Sequence, residues 1–170
     1  KNILKSLGAE LILTSPLEGT DGAQIVAKET YAANPDKYFY ADQYSNDANW
    51  QAHYLTTAEE IWTQTKGKIT HFVAGLGTTG TFVGTARRLK ELGNVQLIYL
   101  QPDHPFHPLE GWKHLATAHR PGIYDDTLAD KTLVIDSSGV FDMIKSISIH
   151  ERLFISPSGA ANLLGALEVP

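Results

Sequence analysis

A run of seven residues near the middle of the chain, 75–81, reads Gly-Leu-Gly-Thr-Thr-Gly-Thr. It follows a strand-like run at 69–74 and precedes a helical pattern at 81–92. A strand that turns through glycines into a helix leaves free backbone N–H groups at the positive end of the helix dipole. Phosphate groups bind at such helix starts. Residues 75–81 therefore predict a phosphate site.

The type of phosphate stays open at this point. Residues 75–80 match the dinucleotide pattern G-x-G-x-x-G, and Asp103 follows the next predicted strand, where that pattern has an acidic residue for the ribose. The nucleoside triphosphate pattern fails, because no Gly-Lys-Ser/Thr follows. Three threonine hydroxyls favour a terminal phosphate dianion, such as that of a small cofactor. A purely structural strand–helix turn is the remaining alternative.

The elements that would position this turn indicate an α/β fold. Strand 69–74, helix 81–92 and strand 95–101 form a βαβ unit, which implies a parallel sheet with a right-handed crossover. A capping-box spacing at Thr57 and Glu60 predicts a helix that runs to about Thr65. The other predictions are strands at 10–14, 38–40, 132–135 and 153–155, helices at 23–33, 109–119 and from Ser138 or Gly139 to about 152, and a long ordered loop at 42–53.

The composition excludes several classes of protein. The net charge is −5, from 14 basic and 19 acidic side chains, and the basic residues are scattered, so we expect no nucleic-acid partner. No apolar run approaches the roughly 20 residues that span a bilayer, so we expect no membrane partner. The absence of cysteine rules out disulfides and thiolate sites, and it is consistent with a cytoplasmic location.

Three further groups of polar residues have ordinary explanations. Four histidines, at 104, 107, 114 and 119, match no zinc spacing, and we expect solvated loop side chains and no metal site. Asp125 and Asp126 are adjacent, and adjacent carboxylates rarely converge on one centre, so turn or capping roles are expected. Ser137 and Ser138 precede Gly139 and are expected to cap a helix.

The turn and several other segments together resemble one known family. Residues 77–84, GTTGTFVG, resemble the phosphate-binding motif of the β-family of pyridoxal-phosphate enzymes, which includes the cysteine synthases and cystathionine β-synthases. The match covers nearly the whole chain in order. Thr79 is a second threonine at a position where many members of the family have glycine, and in this the motif resembles that of the B-type cysteine synthases. Further similar segments are LGAELILT at 7–14, the block from DQYSN at 42–46 to TTAEEIW at 56–62, QP at 101–102, GIYD at 122–125 and SGA at 158–160.

The resemblance implies a fold, a cofactor and site residues. The fold would be a three-layer αβα arrangement with a mostly parallel sheet, as in the tryptophan synthase β-like pyridoxal-phosphate enzymes, and incomplete here. Residues 1–38 would belong to a smaller N-terminal domain and 39–170 to a larger domain that binds the phosphate. Ser158 would hydrogen-bond the pyridine nitrogen of pyridoxal 5'-phosphate, and Gln43 would lie near the substrate carboxylate. The phosphate would be held by Gly77, Thr78, Thr79, Gly80 and Thr81.

The lysine that carries the cofactor in the family has no counterpart in this sequence. The family places it in an N-terminal segment, so we expect the chain to be an internal piece of a larger protein, inactive alone. The chain's own lysines are expected to be solvated; they are Lys1, Lys5, Lys28, Lys37, Lys66, Lys68, Lys90, Lys113, Lys131 and Lys145. Arg152 and Pro157 depart from the family pattern, so the turn before Ser158 is expected to differ.

The reaction that the resemblance implies is β-replacement. An activated serine such as O-acetylserine would lose its leaving group, and sulfide or a thiol donor would add in its place. The partners would be this amino-acid substrate, the sulfur donor and, for the full protein, a second copy in a homodimer. Four alternatives stay open: cystathionine β-synthase, a serine/threonine dehydratase, an NAD-binding Rossmann domain and a non-catalytic piece.

Overall fold

The computed structural model describes residues 1–170, which divide into two compact units, Lys1–Ala41 and Asp42–Pro170. The first unit contains helix α1 (Asn2–Ser6) and helix α2 (Gly19–Ala33). The strands predicted at 10–14 and 38–40 are not formed, because the unit contains no neighbouring strand with which either segment could pair. These segments instead line an apolar cavity of about 320 Å³ together with one face of α2.

The second unit carries the sheet and the glycine–threonine turn. Its elements in chain order are helices α3 (Ala48–Leu55) and α4 (Thr57–Gln64), strand β1 (His71–Gly75), helix α5 (Gly80–Leu92), strands β2 (Gln96–Pro102) and β3 (Lys131–Ile135), a 3₁₀ turn (Ser137–Gly139), and helices α6 (Val140–His150) and α7 (Pro157–Leu167).

The three strands form one parallel sheet in the order β1-β2-β3. His71 pairs with Gln96 and Gly75 with Leu100, while Ile98 pairs with Lys131. Because parallel strands all end at the same edge, the turn after β1 and the connection after β3 lie along one edge of the sheet. The predicted α/β class with a parallel sheet is confirmed.

Helices cover both faces of this sheet. Alternate side chains of β2 point to opposite faces: Leu97 packs with Phe82 and Leu89 of α5, whereas Ile98 packs with residues of α6 and α7. Phe82 stacks on Phe72, with ring centroids 5.9 Å apart. The three layers therefore bury a core that supports the start of α5.

Several predicted elements are wrong. The segment 153–155 is not a buried strand, since Phe154 is 92% exposed and no ladder partner lies beside it. Residues 109–119 form turns, not a helix. The predicted loop at 42–53 contains most of α3. Local composition misassigned these segments, because pairing and burial depend on neighbours distant in sequence.

Local backbone details also differ from expectation. Thr57 is the first residue of α4, not its cap, and no side-chain hydrogen bond caps that helix. Asp136 caps the 3₁₀ turn by accepting a hydrogen bond from the Ser138 N–H. Arg152 has φ +58, so the left-handed turn before α7 is retained with arginine in place of a residue that adopts it easily.

None of the helices combines the length and hydropathy that a membrane crossing requires.

Candidate phosphate site at the start of helix α5

The turn between β1 and α5 is held in a strained conformation. Thr79, the N-cap residue of α5, has φ +75 and lies in the left-handed region. That region costs an L-residue about 1–2 kcal/mol, and a β-branched side chain is especially unfavourable there. The surrounding packing therefore imposes this conformation on Thr79, and strain of this kind is concentrated at functional sites.

Two glycines allow other segments to approach the turn closely. A Cβ on Gly77 would lie 2.4 Å from the carbonyl oxygen of Gly111. A Cβ on Gly80 would lie 1.9 Å from Asn49 Oδ1. The missing side chains let the 109–113 segment and helix α3 pack directly against the turn.

The three threonine hydroxyls of the turn have different surroundings. Thr78 Oγ1 accepts hydrogen bonds from Asn49 Nδ2 at 3.0 Å and from the Gly80 N–H at 3.3 Å. Thr79 is 3% exposed, and its Oγ1 is buried with no hydrogen-bond partner. Thr81 Oγ1 lies 3.2 Å from His53 Nε2. Thr85 Oγ1, inside α5, is buried without a partner in the same way, so this property is shared by two hydroxyls of the helix and its start.

Ser158 is the second residue of α7. Its hydroxyl donates to the carbonyl oxygen of Glu110 at 3.2 Å, and Glu110 precedes the Gly111 that contacts the turn. Helix α7 is also attached to the end of β1, because Asn162 Oδ1 accepts a hydrogen bond from the Gly75 N–H at 2.8 Å. Ser158 is thus connected to the turn through two independent sets of contacts.

Gln43 is exposed, and its position relative to the turn is set by its backbone. Its carbonyl oxygen accepts a hydrogen bond from Asn49 Nδ2 at 2.6 Å, and the same amide group donates to Thr78. Asn49 therefore links Gln43 to the threonine-rich turn.

Lys113 is not a solvated lysine, contrary to the sequence-based expectation. The residue is 5% exposed, and its ammonium lies 5.1 Å from the centre of the Tyr44 ring. The backbone N–H of Lys113 donates to the carbonyl oxygen of Leu76 at 2.7 Å, and this bond joins the 109–113 segment to the turn. Because a helix was predicted over 109–119, this contact with the turn was not anticipated.

Asp103, the acidic residue of the dinucleotide pattern, has a different partner in the structure. Its carboxylate accepts hydrogen bonds from the Ser137 hydroxyl at 2.7 Å and the Ser137 N–H at 3.2 Å. The hydrogen bond from the Ser137 side chain is the main reason that the pKa of Asp103 lies below its ordinary value. Asp103 therefore stabilises the connection after β3.

The adjacent carboxylates Asp125 and Asp126 diverge. Asp125 accepts hydrogen bonds from the Thr127 N–H and hydroxyl and pairs with Arg87, while Asp126 pairs with Arg120. The bond from the Thr127 side chain is the first cause of the lowered pKa of Asp125. Neither carboxylate shares a centre with the other, as expected for turn residues.

Sequence analysis assigned no role to Asn49 or His53, although both touch the predicted phosphate-binding threonines. They are four residues apart on α3 and so share one helix face. A helix predicted at 48–55 would have placed both residues on one face. The loop predicted for this segment gave no reason to group them.

The comparison with protein families decides the class. The model of the family described as "Pyridoxal-phosphate dependent enzyme" matches residues 1–170, the whole chain. The chain belongs to this family. This membership, together with the Ser137 partnership of Asp103, favours a pyridoxal phosphate group over a dinucleotide at the turn.

Several proteins similar to this chain in sequence or in structure are cysteine synthases. The chain is 46% identical to a cysteine synthase of Aquifex aeolicus over 170 residues, which are 99% of this chain and 52% of the relative. It is 36% identical to cysteine synthase B of Escherichia coli, over 98% of this chain and 54% of the relative. The crystal structure of cysteine synthase from Entamoeba histolytica superposes with a TM-score of 0.86 at 31% identity, covering 98% of this chain and 51% of that one. The chain spans about half the length of the curated relatives that it matches.

Proposed function

We propose that this chain forms the phosphate-binding part of a pyridoxal-phosphate-dependent cysteine synthase, which replaces the leaving group of an activated serine with sulfide or a thiol donor. The observation that carries the proposal is the turn that begins α5, where Thr79 is held at φ +75 and the Thr78 hydroxyl accepts bonds from Asn49 Nδ2 and the Gly80 N–H, which leaves its proton for a ligand. The 46% identity to a cysteine synthase supports the reaction class.

The residues of the turn fit a terminal phosphate. Thr78 and Thr79 bring hydroxyls to the start of a helix of 13 residues, where the first N–H groups have no intrahelical acceptor and the dipole favours an anion. Charge-assisted hydrogen bonds to a phosphate are about twice as strong as bonds between neutral groups. We infer that Gly77, Thr78, Thr79, Gly80 and Thr81 hold the cofactor phosphate.

Ser158 is proposed to contact the pyridine nitrogen of the cofactor. Its hydroxyl is exchangeable, because its present acceptor is a single backbone carbonyl at 3.2 Å. A neutral hydroxyl leaves that nitrogen unprotonated, which limits the electron-withdrawing capacity that the bound cofactor supplies to the substrate. That limit favours elimination and replacement at the β-carbon over reactions that need a fully developed carbanion.

Gln43 is proposed to lie near the substrate carboxylate. Its backbone is tied to Asn49, and Asn49 is tied to Thr78, so substrate and phosphate positions are linked through one amide group. We further propose that the first unit belongs to a smaller N-terminal domain, that the full protein is a cytoplasmic homodimer, and that its partners are an amino acid and a sulfur donor.

The test is a reaction assay on the full-length gene product. Cysteine formation from O-acetylserine and sulfide should require pyridoxal phosphate. It should exceed both cystathionine formation from serine and homocysteine and release of ammonia from threonine. In equilibrium dialysis the protein should bind pyridoxal phosphate and not NAD.

Two results would contradict the proposal. Saturable NAD binding without pyridoxal phosphate binding would restore the dinucleotide interpretation. Pyridoxal phosphate binding combined with faster cystathionine formation or threonine deamination would keep the cofactor and change the substrate class.

A further inference from the structure

Helix α3 packs unusually closely on the start of α5. A Cβ on Gly84 would lie 2.0 Å from the Trp50 carbonyl oxygen and 2.9 Å from His53 Cβ. A Cβ on Gly80 would collide with Asn49. Gly80 and Gly84 are one helical turn apart, as are Asn49 and His53, so two glycines of α5 face two polar residues of α3 in register.

Asn49 determines the direction of the Thr78 hydroxyl. A hydroxyl oxygen accepts two hydrogen bonds and donates one. Thr78 Oγ1 already accepts one bond from Asn49 Nδ2 and one from the Gly80 N–H. Its proton is therefore available to an acceptor outside the protein, such as a phosphate oxygen.

The tautomer of His53 determines the direction of the Thr81 hydroxyl in the same way. Its Nδ1 lies 3.0 Å from Thr57 Oγ1, and its Nε2 lies 3.2 Å from Thr81 Oγ1. With the proton on Nε2, the ring donates to Thr81 and accepts from Thr57 at Nδ1. The Thr81 hydroxyl is then free to donate outward.

Burial of the His53 ring supports this arrangement. Desolvation lowers the pKa of His53 below its ordinary value and so favours the neutral ring, which has one donor and one acceptor nitrogen. A neutral ring between two hydroxyls is the state in which a change of tautomer reverses the direction of both hydrogen bonds.

We propose that His53 and Asn49 are positioning residues, which hold the Thr81 and Thr78 hydroxyls as donors toward the phosphate bound at the start of α5. The inference rests on the proposed function. It assigns a role to the α3 face that the turn sequence alone does not reveal.

The test compares His53→Leu with His53→Gln in the full-length gene product. The glutamine amide N–H can replace the donor at Nε2, whereas leucine cannot. Binding of pyridoxal phosphate is measured by equilibrium dialysis, and the ³¹P chemical shift of the bound phosphate is recorded. Loss of one charge-assisted contact should weaken binding by about tenfold in His53→Leu, while His53→Gln should stay within about threefold of wild type.

His71 offers the matched control. It also pairs with a threonine, since its Nδ1 lies 2.9 Å from Thr70 Oγ1, but it begins β1 at the opposite edge of the sheet. His71→Leu should leave both binding and the ³¹P shift unchanged. In the double variant His53→Leu/Thr81→Val, the affinity for pyridoxal phosphate should fall by less than the product of the two single fold-changes. Both substitutions act on the same contact with the phosphate.

Each outcome separates the two proposals. Absence of pyridoxal phosphate binding in the wild type overturns the proposed function and this inference with it. Wild-type binding with equal affinities in His53→Leu and His71→Leu overturns the inference alone. If His53→Leu fails to fold, Thr57→Val serves instead: weaker binding with a shifted ³¹P signal supports the inference, and unchanged binding overturns it.

Discussion

Two strand–helix connections at the same edge of the sheet satisfy their polar groups in opposite ways. After β3, Asp136 accepts the Ser138 N–H, and Asp103 accepts both the N–H and the hydroxyl of Ser137. After β1, Thr79 is buried in a left-handed conformation and its hydroxyl bonds to nothing. The first connection is complete within the protein, whereas the second is left incomplete at a cost in stability.

This contrast separates a structural turn from the turn that we propose binds phosphate. Natural chains keep unsatisfied or strained groups mainly where function requires them. Side chains at both connections include hydroxyls and glycines, so composition alone does not distinguish them. The difference lies in which polar atoms have partners.

The largest expected effect is that of Gly80→Ala. The new Cβ would displace the Asn49 side chain and break its hydrogen bonds to Thr78 and Gln43, so we expect a loss of about 2–3 kcal/mol in the free energy of unfolding. Urea denaturation measures this loss.

Gly139→Ala is the matched control at the other connection. The nearest atom to its new Cβ, on Leu164, is 4.0 Å away, and Gly139 has φ −74. This variant should lose nothing and gain up to about 1 kcal/mol. Equal destabilisation by the two alanines would remove the difference between the connections.

Ser137→Ala should destabilise the protein by about 1–2 kcal/mol. It removes a hydroxyl that donates to the Asp103 carboxylate at 2.7 Å, and bonds to charged groups are the stronger ones. Ser138→Ala keeps the capping bond, which uses the backbone N–H, and should change stability by less than about 0.5 kcal/mol. Thermal unfolding of both variants checks the ranking, and a larger loss in Ser138→Ala would contradict it.

Thr79→Gly should raise the free energy of unfolding, in contrast to Gly80→Ala and Ser137→Ala. Glycine adopts φ +75 without steric cost and removes an unpartnered buried hydroxyl, so we expect a gain of about 1 kcal/mol in the absence of cofactor. The same change should weaken pyridoxal phosphate binding. Thr79→Ser keeps the hydroxyl and should retain more of that binding than glycine does. If Thr79→Gly is less stable than wild type, the threonine side chain contributes packing to the folded state, and its hydroxyl is not kept for a ligand.

The smallest expected effect is on acid stability. Because the pKa of Asp103 is lowered on folding, chiefly by the Ser137 hydroxyl, its stabilisation is complete above the unfolded value of 3.8 and is lost as the pH falls through the folded value. Asp103→Asn should therefore lose less unfolding free energy than wild type between about pH 5 and about pH 2.5. Denaturation at stepped pH measures both slopes, and equal slopes would show that Ser137 does not hold the carboxylate in its charged form.

The sequence predicted the βαβ unit well, because β1, α5 and β2 each carry a strong local period and the glycines mark the turn between them. It failed where the deciding contact is distant. The apolar segment 153–155 has no neighbouring strand, and the 109–113 segment is shaped by the turn against which it packs. The helix at 48–55 was missed because two of its polar residues, Asn49 and His53, contact the turn and α5 and so interrupt the usual apolar face.

By itself the sequence determined the class of fold, the family resemblance and the position of the glycine–threonine turn that we propose binds phosphate, since these depend on residues close together along the chain. Only the tertiary structure decided which polar atoms are satisfied. Asp103 is bonded to Ser137, Thr78 is held by Asn49, and the Thr79 hydroxyl has no partner. Hydrogen bonds between groups far apart in sequence form only when packing brings them together, and local patterns carry no record of them.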